Sequence, residues 1–313
     1  MSAAPLRVWL RAARLRTLPL SLACIVLGTF LAADAGFFRM DLAILTVLTT
    51  VSYQILSNFS NDYFDFQKGS DAHRTTVHTG EMRSVASGAI SPSAMRKAVW
   101  SAAGVASILG FLLVYMAFKG TIRWVFLGLH FLALWSALQY VGGKVAYGYR
   151  GWGDFFVVFF FGWVGVEGSF MVQTGSFSPW VLLPGLSVGL LAAGVLNLNN
   201  IRDRETDPLT GKITIAVRLG LPAARWYQTA LVSTAVLLSV FFVLRGVPTC
   251  SRSFLFLATL PLLYDSVRQT WKASSRAEWD ALLKPLALAT LLFAFLLGFG
   301  LYIDADSCSK PLF

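Results

Sequence analysis

The chain has 313 residues, 56% of them hydrophobic and 13% charged, with a mean hydropathy of +0.64. A soluble domain of that size could not bury so much apolar surface, which leaves a polytopic membrane protein. The apolar runs are long and lack period-two alternation, so the expected fold class is all-α and not a barrel. The net charge of +10 falls on no base-stacking motif, so no nucleic acid is expected as a partner.

In chain order, apolar runs cover 18–34, 42–60, 98–118, 122–141, 155–173, 180–198, 228–244, 253–267 and 285–303. Each is near the roughly 20 residues that cross hydrocarbon, and the eighth is the shortest. The basic stretch before Leu18 carries no cleavage pattern, so the first run is expected to be a retained span. Nine spans can be tested by charge. One set of alternating connections holds 20 of the 26 Lys and Arg residues, the other set 6. That bias predicts a cytoplasmic N-terminus and an external C-terminus, in one transmembrane domain over 1–313. The host membrane expected is a prokaryotic cytoplasmic membrane. Cys24, Cys250 and Cys308 have no redox or metal spacing, and neither do His73, His78 and His130.

The two longest connections, 61–97 and 199–227, fall on the cytoplasmic side, and each opens with an acidic motif at the end of a span. The first motif lies in "SNFSNDYFDFQKGSD", residues 57–71. Asn58, Asp62 and Asp65 are spaced i, i+4, i+7, which puts them on one face of a continuing helix; Asn61 is four from Asp65. Lys68 and Asp71 follow. The second motif lies in "NLNNIRDRETDPLTGKITIAVRLG", residues 197–220. Asn200, Asp203 and Asp207 repeat a helical comb, Asn199 is four before Asp203, and Pro208 ends the helix. Lys212 follows Gly211 much as Gly69 follows Lys68, a faint echo of two related halves.

Carboxylates gathered at a lipid boundary repel one another and need cations. Mg²⁺ suits them, because it takes oxygen ligands and commonly joins one or two carboxylates to substrate phosphates. Lys68, Arg202, Lys212 and Arg218 offer further positive charge to phosphate oxygens. The pattern points to a diphosphate head on a lipid-soluble tail. Solvated helix ends with ordinary charge pairs, and a proton or cation pathway, are the competing readings. The position of the acids at span ends, not at midplane, counts against a pathway.

The two motifs, with "RTLPLS" in the first span, "YVGGKVAYGYRGWGDFFVVFFFGWVGVEGSFMVQTG" across the fourth and fifth, and "GKITIAVRLG" after the second motif, resemble the UbiA superfamily of intramembrane aromatic prenyltransferases. The resemblance runs nearly end to end. It is nearest to the menaquinone branch, whose acceptor is 1,4-dihydroxy-2-naphthoate, because the usual third acid of the first motif is Gly69 here and Asp71 comes two residues later. Leu15 stands where the branch often has Pro, and Glu167 is an acid within an otherwise apolar span.

The resemblance implies nine helices around a central cavity, capped by the two cytoplasmic loops, with a Mg²⁺-dependent activity on polyprenyl diphosphate. It implies Asn61, Asp62, Asp65, Asp203 and Asp207 as metal ligands, with Lys68 beside the four aspartates in the catalytic set. Asn58, Asp71, Asn200, Arg202, Lys212, Lys144, Tyr140 and Tyr147 are the expected substrate contacts. Tyr63 and Phe64 are further aromatic candidates. Other aromatic acceptors, such as 4-hydroxybenzoate or homogentisate, remain open at this point. So does a protein that binds or carries prenyl lipid without chemistry.

Overall fold

The computed structural model describes residues 5–69, 83–143, 145–246 and 251–305. Asp71 and Lys144 lie outside the described residues, as do His73, His78, Cys250 and Cys308. The described elements are helical. A short α1 (Leu6–Ala12) leads into α2 (Leu18–Asp34), α3 (Met40–Gln67), α4 (Pro92–Ala117) and α5 (Gly120–Gln139). Then come α6 (Gly153–Thr174), α7 (Leu182–Asp203), α8 (Ile215–Gly246), α9 (Leu260–Lys272) and α10 (Arg276–Ala305).

Among the described residues eight helices are long and apolar enough to cross a membrane, so this is a multi-pass membrane protein. Their outward faces carry apolar groups that water would penalise: Ile108 is 70% exposed, Trp124 72% and Leu237 67%. The remaining predicted run, 253–267, forms a 3₁₀ helix, Ser251–Thr259, followed directly by the 13 residues of α9. At about 2.0 Å per 3₁₀ residue and about 1.5 Å per α residue, the pair extends about 37 Å, long enough to cross hydrocarbon.

Small residues set the helix spacing. In lipid, apolar area alone does not drive helices together, so close backbone approach and dispersion must. A Cβ on Gly162 of α6 would come 2.9 Å from the Gly185 carbonyl oxygen of α7, and one on Gly189 would meet Val158 O at 2.9 Å. Gly28 of α2 faces Val166 O, and Gly165 faces Cys24. Between them, Val158–Glu167 adopts a π-helix inside α6, the kind of irregularity that clusters near functional sites. Thus α7 is clasped by α6, α8 and α10, α2 packs along α10, and α3 packs on α4.

Two helix ends place the motifs. Helix α3 continues past the predicted span end to Gln67, and Gly69, at φ +71, terminates it in the left-handed conformation that glycine tolerates. The first motif therefore lies on regular helix. The second does not stay on one: α7 stops at Asp203, and Asp207 opens a separate 3₁₀ turn, Asp207–Thr210. Pro208 disfavours α conformation at Asp207, and the Thr206 hydroxyl donates to Asp203 O at 3.1 Å, closing the intervening turn. Helix α8 is broken at Gly220, whose φ of +70 and ψ of 168 only glycine adopts readily.

Candidate active site

A cavity of about 470 Å³ runs between α2, α3, α4, α5, α6 and α7. Its wall changes character with depth. At one end stand the C-terminal turns of α3 and α7, the start of α10 and the segment before α2. These contribute Asn58, Asn61, Asp62, Asp65, Asn199, Arg202, Asp203, Arg276, Arg14 and Arg16. The other end is lined by Leu113, Val114, Phe118, Phe126 and Val172, with Thr46 and Thr49 among them. The arrangement suits a molecule with a charged head and an apolar tail.

In the first motif, Asp62 and Asp65 are both buried and both line the cavity. Asp62 accepts from the backbone N–H of Ser84 at 3.0 Å and of Val85 at 3.2 Å, which pins the returning end of the 61–97 connection. Asp65 Oδ1 accepts from the Tyr149 hydroxyl at 2.7 Å, and its Oδ2 pairs with Arg83. Arg83 also donates to the Asn61 carbonyl. The Asn61 side-chain oxygen is buried with no hydrogen-bond partner among the described residues. Asn58 donates to Ala13 O at 2.9 Å, tying α3 to the segment before α2. Lys68 does not line the cavity. Its ammonium donates to Val141 O at 2.5 Å and stands 4.5 Å above the Tyr149 ring. Burial pushes its pKa down, and Asp65 opposes that shift.

In the second motif, Asp203 is held by two guanidinium groups: Arg202 at 2.8 Å and Arg276 at 2.8 Å. Arg202 reaches on to Asp280 and to Asn199 Oδ1, the latter at 2.7 Å. Asp280 also accepts from Arg16 at 3.3 Å, so the start of α10 is bound to both α7 and the segment before α2. Asp207 pairs with Lys212 at 2.8 Å. Lys212 lines the cavity, while Asp207 and Asn200 sit behind its wall; Asn200 Oδ1 is buried without a hydrogen-bond partner among the described residues.

Tyr140 and Tyr147 both line the cavity below the charged end, their rings edge to face at 5.3 Å. Tyr147 stacks on Phe156 at 4.1 Å and donates to Ser136 O at 3.0 Å. Burial raises the Tyr147 pKa, so the phenol stays neutral. Tyr63 and Phe64 pack against each other and do not line the cavity.

Sequence reasoning missed four groups: Arg83 and Arg276 as the partners of Asp65 and Asp203, Asp280 as the partner of Arg202, and Tyr149 as the donor to Asp65. Only the charge of the first three and their place in connections between apolar runs were visible in the sequence. Their pairing with residues as far as 264 positions away was not.

The residues present fit a hard divalent ion. Among the described residues no three His, Cys, Asp or Glu side chains form a metal cluster. An ion such as Mg²⁺ needs only one or two carboxylates when phosphate supplies the rest. Asp62 and Asp65, with the orphaned Asn61 oxygen beside them, and Asp203 across the cavity are oxygen donors of that kind.

Residues 21–291 match the UbiA prenyltransferase family. The chain is 36% identical to the 1,4-dihydroxy-2-naphthoate octaprenyltransferase of Haemophilus influenzae, covering 95% of this chain and 96% of that one. It is 35% identical to the Escherichia coli protein of the same name, with the same coverage, 95% and 96%. Among solved structures, a UbiA homologue from Aeropyrum pernix superposes with a TM-score of 0.67 at 20% identity, over 93% of this chain and 98% of that one. A UbiA homologue from Archaeoglobus fulgidus bound to GPP and Mg²⁺ superposes with a TM-score of 0.58 at 16% identity, over 95% and 99%. Sequence match, relatives and fold agree, and the chain belongs to the UbiA prenyltransferase family.

Proposed function

We propose that this protein transfers a polyprenyl group from polyprenyl diphosphate to 1,4-dihydroxy-2-naphthoate, releasing pyrophosphate and CO₂ and giving demethylmenaquinol. The observation that carries the reading is the two-ended cavity, with acids and cations at one end and a mostly apolar lining at the other. The relatives named for this reaction at 36% and 35% identity support the choice of acceptor.

The cavity's own groups account for the steps. Arg83, Arg202, Lys212 and Arg276 bind the diphosphate oxygens and balance charge as the allylic C–O bond breaks. Asn61, Asp62, Asp65 and Asp203 are the groups that would hold Mg²⁺, which would supply charge neutralisation to the leaving pyrophosphate, while Asp207, behind the wall, holds Lys212. Tyr140, Tyr147 and Phe156 present aromatic faces below that point and exclude water, so the electron-poor allylic carbon meets the acceptor ring and not a hydroxide. The naphthoate attacks through the carbon bearing its carboxylate. The C–C bond forms, the carboxylate leaves as CO₂, and its bonding electrons restore the aromatic ring, so no strong base is required. The product is apolar and enters the bilayer. The charge bias of the connections supports an orientation with this charged end at the cytoplasmic face of a prokaryotic inner membrane, the N-terminus inside and the C-terminus outside.

The test uses the purified chain in mild detergent with Mg²⁺, geranyl diphosphate and 1,4-dihydroxy-2-naphthoate, and 4-hydroxybenzoate as a parallel acceptor. Equal release of pyrophosphate and CO₂, both abolished by EDTA, is the expected result. Pyrophosphate without CO₂, and only with 4-hydroxybenzoate, refutes the acceptor. Binding of the diphosphate with no turnover on any acceptor refutes the enzyme.

A further inference from the structure

The two acidic motifs lie on different helices, and Tyr149 touches both the first motif and the segment that follows the acids of the second. We propose that Tyr149 is a positioning residue that couples the motifs: its phenol fixes Asp65, and its backbone carbonyl fixes the segment carrying Lys212. The purpose assigned to this coupling rests on the diphosphate reading of the site.

Tyr149 sits on the 3₁₀ turn Tyr147–Arg150, which connects α5 to α6. On one side its hydroxyl donates to Asp65 Oδ1 at 2.7 Å, and both groups are buried. On the other side its carbonyl accepts from Ile213 N–H at 2.8 Å, one residue beyond Lys212. The neighbouring carbonyl, Arg150 O, accepts from Arg218 at 2.8 Å, so the 213–218 stretch is held at two points. The Lys68 ammonium over the Tyr149 ring keeps the ring between the motifs.

The turn itself cannot slide. Gly148 N–H donates to Tyr140 O at 2.9 Å, and a Cβ on Gly148 would come 2.7 Å from that oxygen. Ala146, at φ +37, occupies the left-handed region at the turn's start, a strained conformation for a residue with a Cβ. A tyrosine has few rotatable bonds, so a displacement at its hydroxyl is transmitted to its backbone. Asp65 and Lys212 both line the cavity, which means their separation sets how both can reach one diphosphate.

The first measurement needs no ligand. Hydrogen–deuterium exchange of the detergent-solubilised protein is followed over residues 209–216 in wild type and Tyr149→Phe. Removing the hydroxyl on the Asp65 side should speed exchange at Ile213 about tenfold, the size of one charge-assisted hydrogen bond. Unchanged protection at Ile213 overturns the coupling. Should Tyr149→Phe not fold, Asp65→Ala breaks the same contact from the other end and carries the same expectation.

The second measurement is geranyl diphosphate binding against Mg²⁺ concentration, by isothermal titration. Tyr149→Phe should weaken binding about tenfold and raise the Mg²⁺ needed for half-saturation. Combined with Lys212→Met, the two effects should fall short of multiplying, because Lys212 is already misplaced; simple multiplication overturns the proposal. Wild-type protein that binds no geranyl diphosphate refutes the diphosphate reading, while the exchange result still decides whether Tyr149 couples the two segments.

Discussion

Asp65→Asn removes the charge of a carboxylate whose side chain is 6% exposed and pairs with Arg83, 10% exposed. The asparagine oxygen still accepts from Tyr149, so the loss falls on the ion pair. Breaking a buried pair by removing one partner costs about 3–5 kcal/mol, because the remaining charge is stranded away from water. Here Arg83 keeps its bond to the Asn61 carbonyl, which sets the expected cost at the lower end, about 3 kcal/mol. Adding Arg83→Met removes the stranded charge, and the double variant should regain about 1–2 kcal/mol over Asp65→Asn. Activity should behave differently. Both variants lose a group that stabilises the departing diphosphate, and turnover should fall at least about a hundredfold in each. Stability is read by denaturant titration in detergent, and turnover by pyrophosphate release. A double variant no more stable than the single one refutes the stranded-charge argument. Asp65→Asn retaining more than about a tenth of turnover refutes the assignment of Asp65 to the diphosphate end.

Gly162→Val should destabilise the protein by about 1–3 kcal/mol, since its Cβ would press on the α7 backbone. Gly168→Ala, whose Cβ would meet only Phe126 at 3.7 Å, is the neutral control in the same denaturant titration. Asp62→Ala takes the acceptor from two loop amides and should raise exchange at Ser84 and Val85 by about tenfold or more, read by mass spectrometry. The KM for geranyl diphosphate should rise severalfold between about 0.05 M and about 0.5 M NaCl, because the charged end is partly open to solvent and its attraction is screened. A flat KM would contradict the electrostatic account.

Much of this was legible because membrane spans announce themselves. The apolar runs fall on the helices of the structure to within about two residues, and the i, i+4, i+7 comb of Asn58, Asp62 and Asp65 does share one face of α3, since all three line the cavity. The second comb was read as helix up to Pro208, whereas α7 ends at Asp203. A proline constrains the residue before it, but it does not say how many residues earlier the helix lets go. The partners of the acids were not legible. Arg276 reaches Asp203 across 73 positions and Tyr149 reaches Asp65 across 84, and neither has a local spacing rule. In the sequence Arg83 is one more Lys or Arg in the connection that carries the first motif. Lys68 was expected at the phosphates because it follows the first motif, yet the turn that ends α3 directs it to Val141. The π-helix in α6 likewise has no signature in hydropathy, because it depends on which glycines of α2 and α7 it must meet.

The charges at the cavity explain why the acids can be buried at all. Among the described residues, eight Lys and Arg side chains line it against three carboxylates. Asp65 and Asp203 are each neutralised by arginines, so the cost of holding carboxylates beside lipid is met within the protein. Behind the wall Asp280 pairs with Arg16 and Arg202 and Asp207 with Lys212, and even with these two acids counted the cations outnumber the carboxylates among the described residues, a balance that favours an anion. A cation pathway would require the opposite balance, with acids in excess along the wall. A diphosphate would supply negative charge to that end, and Asp62, Asp65 and Asp203 would hold a divalent ion beside it. The acids mark where the metal would sit, and the surrounding arginines and lysine mark what it arrives with.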